Sequence, residues 1–350
     1  MLKGLKIIDA SSVLAGPSVA TYFAELGAHV TKIEHPNHSD VTRSWKLPKE
    51  DKNSPISAYF SSVNYGKSYI ELDLKSNEGN FKFIELISEA DILIMNFKSQ
   101  DYKKFNIEDH QLLEFNPRLI IGKINGYGED SDRVAYDLIL QAESGFMSMN
   151  GSPEGLPTKM PVALIDVLSA HHLKEAILLA LYARERNGKG SSVSVSLYDA
   201  AVSSLTNQAS NYLMEQHIPQ RIGSLHPNIA PYGELFRTKD QATITFAIGS
   251  DRHFEKLCET IGLEELPKSE KFHSNQQRII HRNELQKIIE KKTSQLLAKE
   301  LLQQLAYKNV PAGKIKTIEE VFEDEKAKEL ILEETINGKL TRRVKSKIFK

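Results

Sequence analysis

The chain has 350 residues, enough for a large core and two domains, and its 40% hydrophobic and 26% charged content is ordinary for a globular protein. A net charge of −1 excludes a global basic footprint for nucleic acid or anionic lipid. A single cysteine, Cys258, excludes an intrachain disulfide framework, a multi-cysteine zinc site and an iron–sulfur cluster, and no apolar run approaches the roughly 18–20 residues of a membrane span.

The opening MLKGLKIID runs directly into a strand pattern, with no leader core or cleavage site, so a cytoplasmic location is expected. Residues 4–10 (GLKIIDA) read as a short buried strand. Residues 17–27 (PSVATYFAELG) read as a helix, with Pro17 at its first position and Gly27 just past its end. Residues 28–34 (AHVTKIE) form the next strand and complete a βαβ unit, the kind that builds a parallel sheet. The alternation continues with a strand at 68–74, a helix at 78–90, a strand at 91–97, a polar helix at 107–115 and a strand at 119–126. These runs show little apolar–polar alternation, as strands covered on both faces do. Helices at 136–147 and 166–186 follow, the second closed by NGKG with Gly188 as its C-cap. A strand at 191–197 and a helix at 198–216 complete this part.

Residues 217–233 (HIPQRIGSLHPNIAPYG) carry proline and glycine in an apolar lull and read as a linker. Strands at 234–238 and 242–248 pair as a hairpin, and helices at 251–262, 275–292 and 294–308 complete a smaller α+β module. Residues 329–350 then read as a β-hairpin around NGK. The expected organisation is a large Rossmann-like α/β domain over 1–216, a linker over 217–233, a small α+β domain over 234–318 and a C-terminal segment over 319–350.

Several familiar sites are absent. The turn ASSVLAGPS before the first helix holds one glycine, not the G-x-G-x-x-G of a dinucleotide fingerprint, although Glu34 ends the βαβ unit. No Walker A loop, G-x-S-x-G elbow or H-E-x-x-H pair occurs. His171 and His172 share SAHHLKE with Glu175, on helix faces that do not converge on a metal. RERNGKGSS reads as a helix end with basic residues at the negative end of the dipole, and KLTRRVKSKIFK as an exposed basic strand.

Asp166 is the residue that stands out. It lies in the apolar run PVALIDVLSAHH with no lysine or arginine close by. It reads as the N-cap of a helix starting at about Val167, a role worth up to about 1 kcal/mol. A carboxylate there also meets free N–H groups at the positive helix end, which would stabilise an oxyanion formed as it attacks a carbonyl. Apolar neighbours strip its hydration and make it a better nucleophile.

The opening GLKIIDASSVLAGPSVATYFAELGAHVTKIEHP, then SDVTRSW, NYGKSYIELDLKSNEG, ADILIMNF, NPRLIIGKINGYG, YDLILQAESGFMSMNG, LLALYARERNGKGSSVSVSLYDAAV and HPNIAPYGELFRTKDQATITFAIGSDRHFEKLC follow one another along nearly the whole chain. In that order they resemble the class III coenzyme A transferases of the formyl-CoA transferase and carnitine CoA-transferase type, relatives of the α-methylacyl-CoA racemases. The resemblance implies a large domain completed by residues 319–350, which return to it, and an interlocked homodimer. It implies that Asp166 is the nucleophile that moves CoA from an acyl-CoA to a carboxylic acid, through an aspartyl mixed anhydride and an aspartyl-CoA thioester. CoA thioester is then the substrate, with no prosthetic group, metal, nucleic acid or membrane required. By the same resemblance Leu14 and Ala15 lie beside the pantetheine and thioester, and His35 approaches the nucleotide. Leu72, Asp73, Leu74 and Lys75 hold the adenosine, with Asn96, Phe97 and Lys98 adding adenine contacts and Lys104 a phosphate contact. Tyr136 and Asp137 flank the nucleophile, and Trp45 and Tyr59 line the acyl pocket.

The pattern departs from the family in places. His35 and Lys104 stand where arginine is commoner, and Lys104 keeps the charge without the bidentate fork. FAIGSDRHF stands where some members carry a glycine-rich gating loop, and the family's final stretch has no counterpart after KSKIFK. Two other functions stay open. A racemase would move a proton α to the thioester, but its histidine–aspartate pair is here Tyr136–Asp137, and an unperturbed tyrosine with a pKa of about 10 is a poor base. A non-catalytic CoA-binding protein is the third reading. Gly145 within AESGFM resembles members that act on small dicarboxylates such as succinate.

Overall fold

The computed structural model describes residues 1–349, which form two compact units. The larger comprises Met1–Met147, Lys159–Ile218 and the chain from Lys326 onward, and the smaller comprises Ser148–Thr158 and Pro219–Glu325.

In the larger unit β1 (Lys6–Ala10), β2 (His29–Glu34), β3 (Lys67–Glu71), β4 (Ile92–Met95), β5 (Ile120–Asn125) and β6 (Ser191–Ser196) form one sheet. Their order is β3-β2-β1-β4-β5-β6 with every neighbouring pair parallel, the Rossmann-like sheet expected from the alternation of strands and helices. Successive side chains point to opposite faces. Ile7, Ile92, Ile94 and Ile120 pack with the helices Ala15–Glu25 and Leu164–Asn187 on one side. Ile8, Leu93, Met95 and Ile121 pack with the helices Asn77–Ser88 and Asp109–Phe115 on the other. Coverage on both faces is why these strands are apolar at successive positions.

Gly122 of β5 lets the long helix Leu164–Asn187 settle on the sheet, since a Cβ there would lie 2.8 Å from Ile177 Cδ1. That helix ends at Gly188 in the left-handed conformation, φ 73°, the C-cap expected from NGKG. Between β1 and β4 the strand order reverses. In sheets of this kind the crevice beyond the C-terminal strand ends at that point is where ligands bind.

The segment after Lys326 forms an antiparallel hairpin of Ile331–Ile336 and Lys339–Val344. Asn337 and Gly338 at its tip have φ 48° and 78°, the pair of left-handed residues that a type I′ turn requires. The hairpin is fastened within the larger unit: Gly66 N–H donates to Glu334 at 2.7 Å, and Lys339 Nζ donates to Ile56 O at 3.1 Å. Beyond it, the Glu25 carboxylate accepts the backbone N–H groups of Ser346 and Lys347.

The smaller unit has a three-stranded antiparallel sheet, Tyr232–Arg237, Thr243–Ala247 and Ala312–Lys314, over a core that includes Phe236, Phe246, Phe254, Leu257 and Leu301. The hairpin expected at 234–248 is its first pair. The third strand is only three residues, AGK, and carries no strand signal in its composition.

Three expected helices are divided. Residues 136–147 give Asp137–Glu143 and Phe146–Met149, parted at Gly145 with φ 91°. Residues 198–216 give Leu197–Ser203 and Thr206–Glu215, with Thr206 at φ 42°. Residues 275–292 give Asn275–Ile280 and Arg282–Thr293, where His281 takes a non-helical φ of −101° and ψ of 22°. Among the described residues no helix is long and apolar enough to cross a membrane.

Candidate active site

Asp166 is not the N-cap of the long helix. The helix starts at Leu164 after Ala163, which puts Asp166 at its third position and 8% exposed. The cap comes instead from another helix. Asp137, first residue of Asp137–Glu143, accepts the backbone N–H of Ile165 through Oδ1 at 2.8 Å. Its Oδ2 accepts from Gln141 Nε2 at 2.6 Å, one helical turn on. The other end of that fully buried amide accepts Met160 N–H at 2.8 Å. Asp137 and Gln141 together grip the approach to the long helix and its first turn.

Asp166 is left without such support. No hydrogen bond or ion pair reaches its carboxylate among the described residues. Burial, and secondarily the Asp137 charge, push its pKa up to about 7. The half-buried Tyr59 phenol is pushed up to about 12, by burial first and then by the charges of Asp166, Asp137 and Asp40, which all lie within electrostatic reach of it. The Trp45 ring meets Tyr59 edge-on, with centroids 5.1 Å apart. Tyr59, in contact with Trp45, thus feels the charges of Asp166 and Asp137, although the four residues sit at four different elements of the chain.

Of the cavities at the C-terminal ends of the strands, two hold residues that the resemblance assigns to coenzyme A. The first, about 340 Å³, is lined by His35, Leu72, Asp73, Leu74, Lys75 and Phe97 among others. The second, about 430 Å³, is lined by Asn96, Phe97, Lys98 and Tyr136 together with Ser12, Val13 and Lys123. Ser12 and Phe97 belong to both walls. The Asn96 side chain clasps Ser12 between them, accepting its N–H at 3.0 Å and donating to its carbonyl at 2.9 Å. In the first cavity His35 Nε2 is 3.5 Å from Asp73 Oδ1, and its ring lies against that of His38, with centroids 4.9 Å apart and planes tilted by 36°.

The remaining predicted residues divide. Leu14 and Ala15 form the start of the helix Ala15–Glu25, Ala15 buried and Leu14 half-buried. Lys104 is exposed at the end of the helix Ser99–Lys104 and lines neither cavity. Asp166 lines neither cavity, and Tyr136, beside Asp137, is the residue that joins its neighbourhood to the second one. His171 and His172 are exposed. Sequence reasoning missed Gln141, Asp40 and the buried lysines Lys32 and Lys67. A signal existed for Lys32: it sits within VTKIE, a strand expected to be covered on both faces.

The CoA-transferase family III pattern matches residues 2–346. The chain belongs to that family and is a CoA-transferase, as the resemblance in sequence implies. It is similar to succinate–glutarate CoA-transferase of Agrobacterium fabrum, 37% identical over 329 residues that cover 92% of this chain and 82% of that protein. It is also similar to acetyl-CoA:oxalate CoA-transferase of Acetobacter aceti, 35% identical over 321 residues, 91% of this chain and 81% of that one. A crystal structure of a CaiB/BaiF family protein from Brucella suis matches it with a TM-score of 0.86 at 35% identity, covering 100% of this chain and 92% of that chain.

Proposed function

We propose that this enzyme moves coenzyme A between small dicarboxylic acids, with Asp166 as the covalent nucleophile. The observation that carries this reading is a carboxylate 8% exposed, pushed up to about 7, with no cation or donor assigned to it among the described residues. A carboxylate with little hydration and no counter-ion is reactive toward an acyl carbon. The names of the relatives, which act on succinate, glutarate or oxalate, support the dicarboxylate class.

In the first step an Asp166 oxygen attacks the thioester carbonyl, and the C–S bond breaks to give an aspartyl mixed anhydride and CoA thiolate. The thiolate then attacks the Asp166 acyl carbon and expels the donor acid, leaving an aspartyl-CoA thioester. The acceptor carboxylate attacks that thioester, giving a second anhydride and thiolate. Attack of the thiolate on the acceptor acyl carbon releases the new CoA ester and restores Asp166. A thioester is exchanged for a thioester, so the sequence is close to neutral in energy.

CoA is proposed to run along both cavities. His35 and Leu72, Asp73, Leu74 and Lys75 would take the adenosine portion, Asn96, Phe97 and Lys98 the adenine and its linkage, and Lys104 a phosphate from the surface. The pantetheine would pass Leu14 and Ala15 toward Tyr136 and Asp137, with Trp45 and Tyr59 around the acyl group. The working form is proposed to be an interlocked homodimer, so light scattering at micromolar concentration should report twice the chain mass, and a monomer would reject that part.

The reaction is tested by incubation with succinyl-CoA and a panel of dicarboxylates, followed by mass spectrometry of the CoA esters. A new CoA ester and free succinate are expected in equal amounts, and hydroxylamine added during turnover should leave Asp166 as its hydroxamate. No new ester with any acid would overturn the reaction. Product with Asp166 unmodified would overturn the mechanism.

A further inference from the structure

A buried charge network lies beneath the turn that leads into the first helix. Val13 has φ 73°, a left-handed conformation that a β-branched residue rarely takes. Its N–H points at the Asp40 carboxylate, 3.2 Å from Oδ2 and 3.4 Å from Oδ1. Asp40 is buried, and its carboxylate stands 3.3 Å from the Lys32 ammonium. Lys32 is also buried; it donates to Ser11 O at 2.7 Å and lies 3.9 Å from Asp9. Asp9 accepts from Lys67 Nζ at 2.8 Å and from Ser11 N–H at 3.1 Å. Two lysines and two aspartates, all withdrawn from water, are therefore wired to residues 11–13. Asp40 reaches the other way as well, accepting from Thr42 N–H at 3.1 Å and Thr42 Oγ1 at 2.7 Å. That caps the short helix Val41–Ser44, which runs into Trp45.

Such a network adds little stability over well-packed apolar residues of the same volume. A strained backbone persists only where its surroundings over-determine it, and such positions cluster at functional sites. Val13 and Ser12 line the second cavity, and the chain continues directly into Leu14 and Ala15. We infer that Asp40, backed by Lys32, is a positioning residue for acyl transfer, which holds Val13 left-handed and so fixes the peptide entering the first helix at the cavity wall. The kinetic part of this inference rests on the CoA-transfer reading above.

Asp40→Asn removes the charge facing Lys32 while keeping the volume. It is expected to lower kcat by about tenfold and to change KM for the acyl-CoA by less than about threefold, as when reacting groups are displaced and binding is kept. Glycine takes the left-handed conformation without a steric penalty. In a Val13→Gly background the same Asp40→Asn change is therefore expected to lower kcat by less than about threefold, a coupling read from the double-mutant cycle. Equal losses in the two backgrounds, or wild-type kcat in Asp40→Asn, would overturn the inference. If loss of the charge prevents folding, Asp40→Glu keeps it and shifts the acceptor oxygens by one methylene, with the same coupling expected. Amide hydrogen exchange over residues 11–16 should be faster in the Asp40 variant. This readout needs no turnover and so separates failure of the clamp from failure of the proposed reaction; unchanged exchange would overturn the clamp.

Discussion

The Asp137 carboxylate accepts the Ile165 backbone N–H at 2.8 Å, one residue before Asp166. The acid that caps the long helix and the acid proposed to react are therefore different residues. Asp137 takes up the free donor at the helix start and brings a negative charge toward Asp166.

A pH dependence follows. Only the ionised Asp166 attacks, so kcat/KM for the acyl-CoA should rise with pH through about 7, the value to which burial and Asp137 push this carboxyl. Asp137→Asn keeps an acceptor for Ile165 N–H and removes the charge. Its rising limb should move to lower pH but not back to the ordinary aspartate range, because burial is the larger cause. A pH–rate profile for the two enzymes checks this.

Asp166→Asn should abolish transfer and stabilise the fold above neutral pH. The folded carboxyl titrates near 7, against an ordinary value of 3.8. Between those values the folded state holds more protons than the unfolded state, so stability falls as pH rises through that window. At pH 8 the buried charge costs up to about 4 kcal/mol, at 1.36 kcal/mol per pKa unit, and below pH 3 it costs nothing. Melting curves should show a gain for Asp166→Asn that is larger at pH 8 than at pH 5. The capping role read from sequence implies the opposite sign.

His35→Arg places a guanidinium at the position where the resemblance implies that arginine is commoner. Facing the first cavity beside Asp73, where the adenosine portion of CoA with its 3′-phosphate is proposed to lie, it should tighten CoA binding by about threefold to tenfold through a forked contact with that phosphate. Calorimetric titration measures this, and unchanged affinity would remove His35 from the nucleotide contacts.

Gly122→Ala should destabilise the larger unit by about 1–3 kcal/mol, since its methyl would crowd Ile177 Cδ1. Ile177→Val deletes that Cδ1, and combined with Gly122→Ala it should recover most of the loss in denaturant melts.

The larger unit was legible because its central strands, Lys6–Ala10, Ile92–Met95 and Ile120–Asn125, are mostly apolar and its helices carry punctuation such as Pro17 and Gly188. The neighbourhood of Asp166 was legible only through resemblance. Asp137 and Ile165 are 28 positions apart, and nothing local in LIDVLS shows that a carboxylate from another helix supplies its cap. Nothing in YDLILQAESGFM singles out Gln141, and its tie to Met160 exists only after folding. The divided helices failed for a related reason: His281 and Thr206 leave the helical conformation where no glycine or proline announces it.

Asn96 holds Ser12 from both sides of its peptide, and Ser12 and Phe97 belong to the walls of both cavities. One side chain thus sets the spacing of two rooms at once. A change at Asn96 that enlarged one would also reshape the other, so the two cannot be widened independently through this residue. Residues that line a single room, Tyr136 in the second and His35 in the first, carry no such tie.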